Sequence, residues 1–189
     1  MNIIKYVKLV KIKQKIIMEI EKILALSQYL EIKYCLWNEQ YFIGISHEEL
    51  DEREDELLSD EKLSREEVSE IIQKWIDEEC TLLEDEFKVS NYNDSRIEYG
   101  NQEYLVCTDE EADELSREQT EQLIEDCYLS EYRRDEEKSG RSNPLLQFLN
   151  LEAWIDSWSN NRGEILAGYD SEENDVTIDS GTYYIYRTN

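Results

Sequence analysis

The side chains that could carry chemistry in this sequence of 189 residues are, above all, carboxylates. Aspartate and glutamate number 46 against 20 lysines and arginines, so the formal net charge at pH 7 is −26. Residues 48–86 hold 18 acidic and 4 basic residues, and residues 109–137 hold 13 and 3. With so many carboxylates some pair must lie close by chance. Acid–base catalysis, which needs two carboxyls in unequal environments, therefore gains no specific support.

Other reactive arrangements give weak signals. The single histidine, His47, cannot complete a zinc site with four cysteines that form no CxxC pair. The stretch 170–181 begins like a calcium loop, but its sixth and twelfth positions are Asp175 and Gly181, where that loop needs Gly and Glu. No nucleophile elbow, HExxH or glycine-rich phosphate loop occurs. We therefore expect no catalytic residue, no metal site and no cofactor.

The composition bounds the class of protein. Hydrophobic residues make up 40% and aromatic residues 11% of the chain, which predicts a folded core rather than acidic disorder. No run of 18 apolar residues occurs, so we expect no membrane span. An acidic surface repels nucleic acid and anionic lipid, so we expect no direct contact with either. The widely separated cysteines predict reduced thiols in a cytosolic protein.

Residues 1–17 form the only basic segment, with five lysines and no acid. Lys8, Lys11 and Lys13 interrupt the apolar run that a secretory signal requires. An amphipathic membrane helix is the alternative, although the acidic remainder of the chain opposes adsorption to anionic lipid. We interpret the segment as an extension upstream of a working start at Met18, and we expect residues 18–189 to fold and work without it.

Three capping boxes predict the starts of acidic helices. A serine or threonine is followed three residues later by glutamate at 46–49, 64–67 and 108–111. The helices are predicted to extend to about 58, 84 and 131. In the second, Val68, Ile71, Ile72, Trp75, Ile76 and Leu83 should form one apolar stripe; in the third, Ala112, Leu115, Ile124, Cys127 and Tyr128 should face inward.

The remaining pattern completes an α+β fold. It predicts a helix over 18–31, a hairpin or a pair of short strands over 32–37 and 41–45, and a strand over 103–107. A polar loop over 133–143 leads to a helix over 144–158, apolar on most of its circumference and therefore expected at the centre of the core. Strands are predicted over 164–168, 175–178 and 182–187. The predicted architecture is several amphipathic, acidic helices packed on a small antiparallel sheet with a C-terminal β-hairpin.

Several motifs carry a family resemblance. The stretches EYLVCTDEEADE at 103–114, Arg162-Gly163, GYDSEE at 168–173 and YYIYRTN at 183–189 resemble a family of small acidic proteins of tailed phages. Residues 21–27 are similar to the family's opening helix. The resemblance implies a phage origin and a location in the host cytoplasm, without implying a particular activity. It covers 18–30 and 92–189, so 31–90 is interpreted as an insertion in a single domain over 18–189.

The acidic runs suggest a nucleic-acid mimic. If 48–86 were mainly helical, it would carry one carboxylate per about 3.2 Å, against about 3.4 Å between charges on a DNA strand. The first hypothesis is a non-enzymatic, phage-encoded inhibitor of a host nucleic-acid-binding defence system, of the anti-CRISPR or anti-restriction type. Its partner would be a basic nuclease or nucleoprotein complex. The candidate partner-binding residues are Glu48, Glu49, Asp51, Glu52, Glu54, Asp55, Glu56, Asp109, Glu110, Glu111, Asp113 and Glu114.

Other hypotheses remain open. Steric or allosteric binding of the same target could use the tyrosines of the last strand, Tyr183, Tyr184 and Tyr186. An accessory phage protein with a structural or regulatory role would show no anti-defence activity. A weak cation-dependent enzyme is the third class. In the blandest interpretation, the acidic surface only keeps the chain in solution.

Overall fold

The computed structural model describes residues 17–59, 62–89, 95–130, 133 and 148–189. The fold is α+β, as predicted. Its contacts divide the chain into two compact units, one of residues 1–101 with 178–180 and one of residues 102–177 with 181–189. The predictions for residues 1–16, for most of the polar loop 133–143 and for the helix start at 144–147 lie outside the described residues.

The first unit opens with a helix and a β-hairpin. Helix α1 spans 17–29, and strands β1 (Tyr34–Trp37) and β2 (Gln40–Ile43) pair antiparallel. Asn38 and Glu39 form the connection with φ of 48° and 65°, as a two-residue hairpin turn requires. The predicted helix and hairpin are confirmed.

Helices α2 (His47–Leu58) and α3 (Arg65–Glu79) begin at the predicted capping boxes. The Ser46 hydroxyl accepts from the Glu49 N–H at 3.2 Å, and the Ser46 N–H donates to the Glu49 carboxylate at 2.8 Å. Ser64 and Glu67 repeat both bonds at 3.3 and 2.8 Å. Since each box satisfies backbone N–H groups that the helix leaves unpaired, both helix starts are set locally.

The predicted apolar stripe of α3 is correct at Val68, Ile72 and Ile76, which are buried against Leu50 and the β1–β2 hairpin. The prediction is wrong at Ile71, which is exposed, and at the helix end. The α3 helix stops at Glu79 because the backbone extends at Cys80 (φ −122°, ψ 157°) and enters strand β3 (Thr81–Leu82). Pairing of β3 with β2 therefore overrides the helical pattern.

Three short elements complete the first unit. Helix α4 (Leu83–Glu86) places Leu83, the last residue of the predicted stripe, in a separate turn. Strands β4 (Phe87–Val89) and β5 (Arg96–Tyr99) pair antiparallel, and the Phe87 and Tyr99 rings stack with their centroids 4.8 Å apart.

The four cysteines, all within the described residues, are thiols rather than disulfides. Cys35 and Cys107 are buried and Cys127 is exposed. Burial, and then the neighbouring Cys80, raise the pKa of the Cys35 thiol to about 11. Because the thiolate is the reactive form, burial and high pKa both protect Cys35 from alkylation.

Iodoacetamide at pH 8 should therefore modify Cys127 first and leave Cys35 unmodified in the native protein. Peptide mapping by mass spectrometry measures both sites, and unfolding in guanidinium should make both react. Rapid native labelling of Cys35 would contradict the packing of the first unit.

The second unit is built on strand β6 (Gln102–Cys107), helix α5 (Asp109–Ile124) and a π-helical segment, Glu125–Leu129, that continues α5. Helices α6 (Leu151–Ser159) and α7 (Arg162–Leu166) follow. Strands β7 (Asn174–Ile178) and β8 (Gly181–Arg187) form the predicted C-terminal hairpin, in the order β6–β8–β7. The core of the second unit contains Leu105, Cys107, Ala112, Leu166 and Tyr186.

The prediction that the helix before residue 158 is the central core helix is wrong. Within the described residues it begins at Leu151, where the Asn150 side chain accepts from the Ala153 N–H at 3.2 Å. None of its nine residues is fully buried, and Phe148 before it is 84% exposed. It packs beside α5 and the π-helical segment, and its apolar residues Leu151, Trp154, Ile155 and Trp158 are half-buried.

The strand predicted over 164–168 is also wrong, because α7 occupies most of that range. The Ala167 N–H donates to the Gly163 carbonyl at 3.1 Å and closes a helical turn. Gly163 lies against backbone: a Cβ there would lie 2.5 Å from the Ser171 carbonyl oxygen. The range therefore forms a helical turn packed against the Ser171 backbone, despite its β-like composition.

The predicted inward face of α5 is correct at Ala112 and Ile124 but wrong at Cys127 and Tyr128, which are exposed. The π-helical segment is the reason. Backbone hydrogen bonds join residues five apart in a π-helix, against four apart in an α-helix. The residue that lies on the same inward side as Ile124 is therefore Leu129, which is buried.

Among the described residues, no helix combines the length and apolar character that crossing a bilayer requires.

Candidate protein-interaction surfaces

Helix α2 presents the first predicted strip of carboxylates. Leu50 and Leu57 lie on the inner side of α2 and pack against the core of the first unit. With successive residues about 100° apart, the opposite side carries Glu48, Asp51, Glu52 and Asp55, which we name the α2 acidic face. All four are exposed. Within the described part of the chain, none of the four side chains forms an ion pair or a hydrogen bond.

Of the other three carboxylates of this strip, two are paired with a cation and one is half-buried. Glu49 caps the helix and accepts from the Lys33 ammonium at 2.6 Å. The hydrogen bond from Lys33, followed by that from the Ser46 backbone, lowers the pKa of Glu49. Glu56 pairs with Arg53, and Glu54 is half-buried. Among the described residues, only four of the seven predicted carboxylates are therefore exposed and without a competing contact.

An open depression lies beside the α2 acidic face, between α2 and α3. Glu52, Arg53, Glu56 and Trp75 line it. Trp75 is half-buried and packs against the core of the first unit, so its expected packing role holds in part. The depression supplies an aromatic edge beside the carboxylates.

Residues 48–86 do not form the continuous helix on which the charge-density comparison depended. Helix α2 has 12 residues and α3 has 15, and β3 and α4 follow α3. The length of α2 is about 18 Å, which matches about five phosphates of one DNA strand. Any mimicry by α2 would therefore be short.

The second predicted strip, at the start of α5, is largely occupied. Glu111 completes the third predicted capping box, accepting from the Thr108 N–H at 2.9 Å. The Arg162 guanidinium donates to Asp109 at 2.8 Å and to Asp113 at 3.1 Å. Only Glu110 and Glu114 remain exposed and uncommitted among the described residues.

Arg162 is the centre of a network that joins α5, α7 and the C-terminal hairpin. Besides the two aspartates, its guanidinium binds Glu173 at 2.9 Å and lies 4.5 Å from the centre of the Tyr184 ring. The Tyr186 hydroxyl donates to Glu173 at 2.5 Å. The Arg162 side chain is only 15% exposed. We name this set the Arg162 network.

The pKa directions agree with this geometry. Burial alone would lower the pKa of Arg162, but its hydrogen bonds to Asp109 and Glu173 outweigh that effect and raise it. Burial, followed by the hydrogen bond to Glu173, raises the pKa of Tyr186. Arg162 and Tyr186 therefore both keep their protons at any physiological pH.

The Arg162 network gathers the motifs of the family resemblance into one place. Residues from 103–114, 162–163, 168–173 and 183–189 all contribute to it or border it. Their visible role in this chain is to hold the second unit together. Sequence reasoning missed this partnership, although Arg162 is the only basic residue between Arg141 and Arg187.

The carboxylates of this network surround an arginine rather than a cavity for a cation. No group of three or more potential ligands with the geometry for a metal ion occurs among the residues described. Tyr183 and Tyr186 are buried, which leaves only Tyr184 partly accessible for the alternative contact through the last strand.

Comparison of the chain with protein-family models, with curated proteins and with solved structures found no match. The resemblance to small acidic phage proteins therefore stays a prediction.

Proposed function

We propose that this protein is a non-enzymatic, phage-encoded inhibitor of a host nucleic-acid-binding defence system, of the restriction or CRISPR type. It binds a basic nuclease or nucleoprotein complex and covers the surface that otherwise holds nucleic acid. The contact is made by the α2 acidic face.

The observation that supports the proposal is that the carboxylates of the α2 acidic face are exposed and unpaired among the described residues. Arg162 and the capping box, by contrast, occupy most of the second strip. The capping box at Ser46 and the burial of Leu50 hold the helix in place. A rigid array of unpaired charges loses little conformational freedom when it meets a complementary basic surface.

The test is a variant that removes the charges and keeps the shape: Glu48→Gln, Asp51→Asn, Glu52→Gln and Asp55→Asn together. The matched control removes four exposed carboxylates of the second unit that lie outside both predicted strips: Glu118→Gln, Glu164→Gln, Glu172→Gln and Asp175→Asn. Both variants have a net charge four units less negative than the parent chain. Far-UV circular dichroism should show that both are folded.

The readouts are phage plating on hosts with restriction or CRISPR interference, and DNA cleavage by the purified effector complexes. Wild type and control should restore plating and block cleavage. The α2 variant should bind the effector about 100-fold more weakly, since four exposed charge contacts are each worth about 0.7 kcal/mol. Binding should weaken with salt.

Two results would overturn the proposal. An α2 variant that inhibits like the wild type would exclude α2 as the contact. Absence of protection by the wild type in every restriction and CRISPR host would favour the accessory phage protein instead.

A further inference from the structure

Three aromatic side chains form a cluster on the surface of the second unit. Tyr128, in the π-helical segment, meets Trp154 and Trp158 of α6 edge to face, with ring centroids 5.4 and 5.6 Å apart. The two tryptophan rings lie 5.7 Å apart at an interplanar angle of 85°. We name these three residues the aromatic trio.

The trio is accessible. Tyr128 is 46% exposed, both tryptophans are partly exposed, and Leu123 on α5 is exposed as well. The π-helical segment is what turns Tyr128 outward, and such segments are frequent at functional sites. Tryptophan and tyrosine are also the residues most enriched among binding hot spots. An aromatic surface on so acidic a chain is therefore a candidate contact.

The elements that carry the trio are acidic. Glu121, Glu125, Asp126, Glu152 and Asp156 accompany it on α5, the π-helical segment and α6. Arg117 and Arg133 are the cations that pair with these carboxylates: Arg117 contacts Glu121, Glu152 and Asp156, and Arg133 contacts Glu125. Among the described residues, these five carboxylates against two arginines leave the rim with a net negative charge.

We infer that the aromatic trio is a docking surface for a partner polypeptide that presents arginine beside aliphatic side chains. A guanidinium can lie over an indole or phenol ring while it pairs with a rim carboxylate. The second unit already places a guanidinium over a phenol ring twice, with Arg162 over Tyr184 at 4.5 Å and Arg187 over Tyr169 at 4.0 Å. Arg162 pairs with carboxylates at the same time. The aliphatic neighbours of the arginine cover the remaining aromatic edges.

Other occupants fit less well. A second copy would bring together two chains with a net charge of −26 each, which like-charge repulsion opposes. An anionic lipid surface is excluded by the same charge. A sugar ring needs a flat platform, whereas the trio's rings meet at 62° to 85°.

The test uses the full chain and two synthetic helical peptides that carry the same number of arginines. One peptide places leucines beside the arginines, and the other places serines there. At 150 mM NaCl, titration monitored by the indole N–H resonances of Trp154 and Trp158 should show at least tenfold tighter binding of the leucine peptide.

The variant Tyr128→Ser leaves the charge unchanged and should weaken binding of the leucine peptide about tenfold. The control is Tyr169→Ser, which alters a tyrosine that is 65% exposed in the same unit but outside the trio. It should bind as the wild type does. Equal affinity of the two peptides, or undiminished binding by Tyr128→Ser, would overturn the inference.

The outcome is independent of the proposed function. The variant lacking the α2 acidic face should retain the leucine-dependent part of peptide binding, because α2 lies in the other unit. If sedimentation instead shows a dimer that Tyr128→Ser dissociates, the occupant is a second copy and the arginine partner is wrong.

Discussion

Replacing Arg162 by methionine should lower the free energy of unfolding by about 3 kcal/mol. Methionine keeps an apolar stem of similar length but removes every hydrogen bond of the guanidinium. Asp109, Asp113 and Glu173 would then face one another with no cation between them. In a chain of this size the melting temperature should fall by roughly 6–12 °C, as measured by circular dichroism.

Arg117→Met is the matched control. Arg117 also contacts three carboxylates, Glu121, Glu152 and Asp156, at 3.3, 2.5 and 2.6 Å. Its side chain is 39% exposed, against 15% for Arg162. Water and salt screen exposed ion pairs, so we expect a clearly smaller loss of stability for Arg117→Met than for Arg162→Met.

The comparison separates burial from ion-pair number. Equal losses for the two variants would mean that burial and the Tyr184 contact add nothing to the Arg162 network. A negligible loss for Arg162→Met would contradict a structural role for the motifs of the family resemblance. Those motifs would then need a functional explanation.

The features that the sequence predicted well are local. The three capping boxes each depend on two residues three positions apart, and the hairpin β1–β2 depends on a two-residue turn. Such interactions need no knowledge of distant residues. Both acidic strips were likewise predicted from the local clustering of acidic residues, which needs no knowledge of the fold.

The difference between the two strips was not predictable from local pattern. Arg162 lies 53 residues from Asp109 in sequence, and only the fold brings them together. The strand predicted over 164–168 was also wrong. Helix α7 occupies most of that range, and its Gly163 lies against the Ser171 backbone, a contact that local pattern does not show. The prediction that helix α6 lies at the centre of the core was wrong because apolar composition does not show which faces of a helix pack against other elements.

The prediction of the inward face of α5 was partly wrong because the helix continues as a π-helical segment. This segment leads to a second prediction with a large expected effect on stability. Leu129 is buried whereas Cys127 is exposed. Leu129→Ala should cost about 3 kcal/mol, the usual loss for a buried leucine that leaves a cavity. Cys127→Ala should change stability by less than about 0.5 kcal/mol.

Urea unfolding of both variants, followed by circular dichroism, measures the two losses with the slope as a check on a common unfolded state. An α-helical continuation from Ile124 would bury Cys127 at the third position and Tyr128 at the fourth, whereas a π turn buries Leu129 at the fifth. A larger loss for Cys127→Ala than for Leu129→Ala would therefore mean that the segment continues as an α-helix. It would also return Tyr128 to the core and remove the exposed aromatic trio as a docking surface.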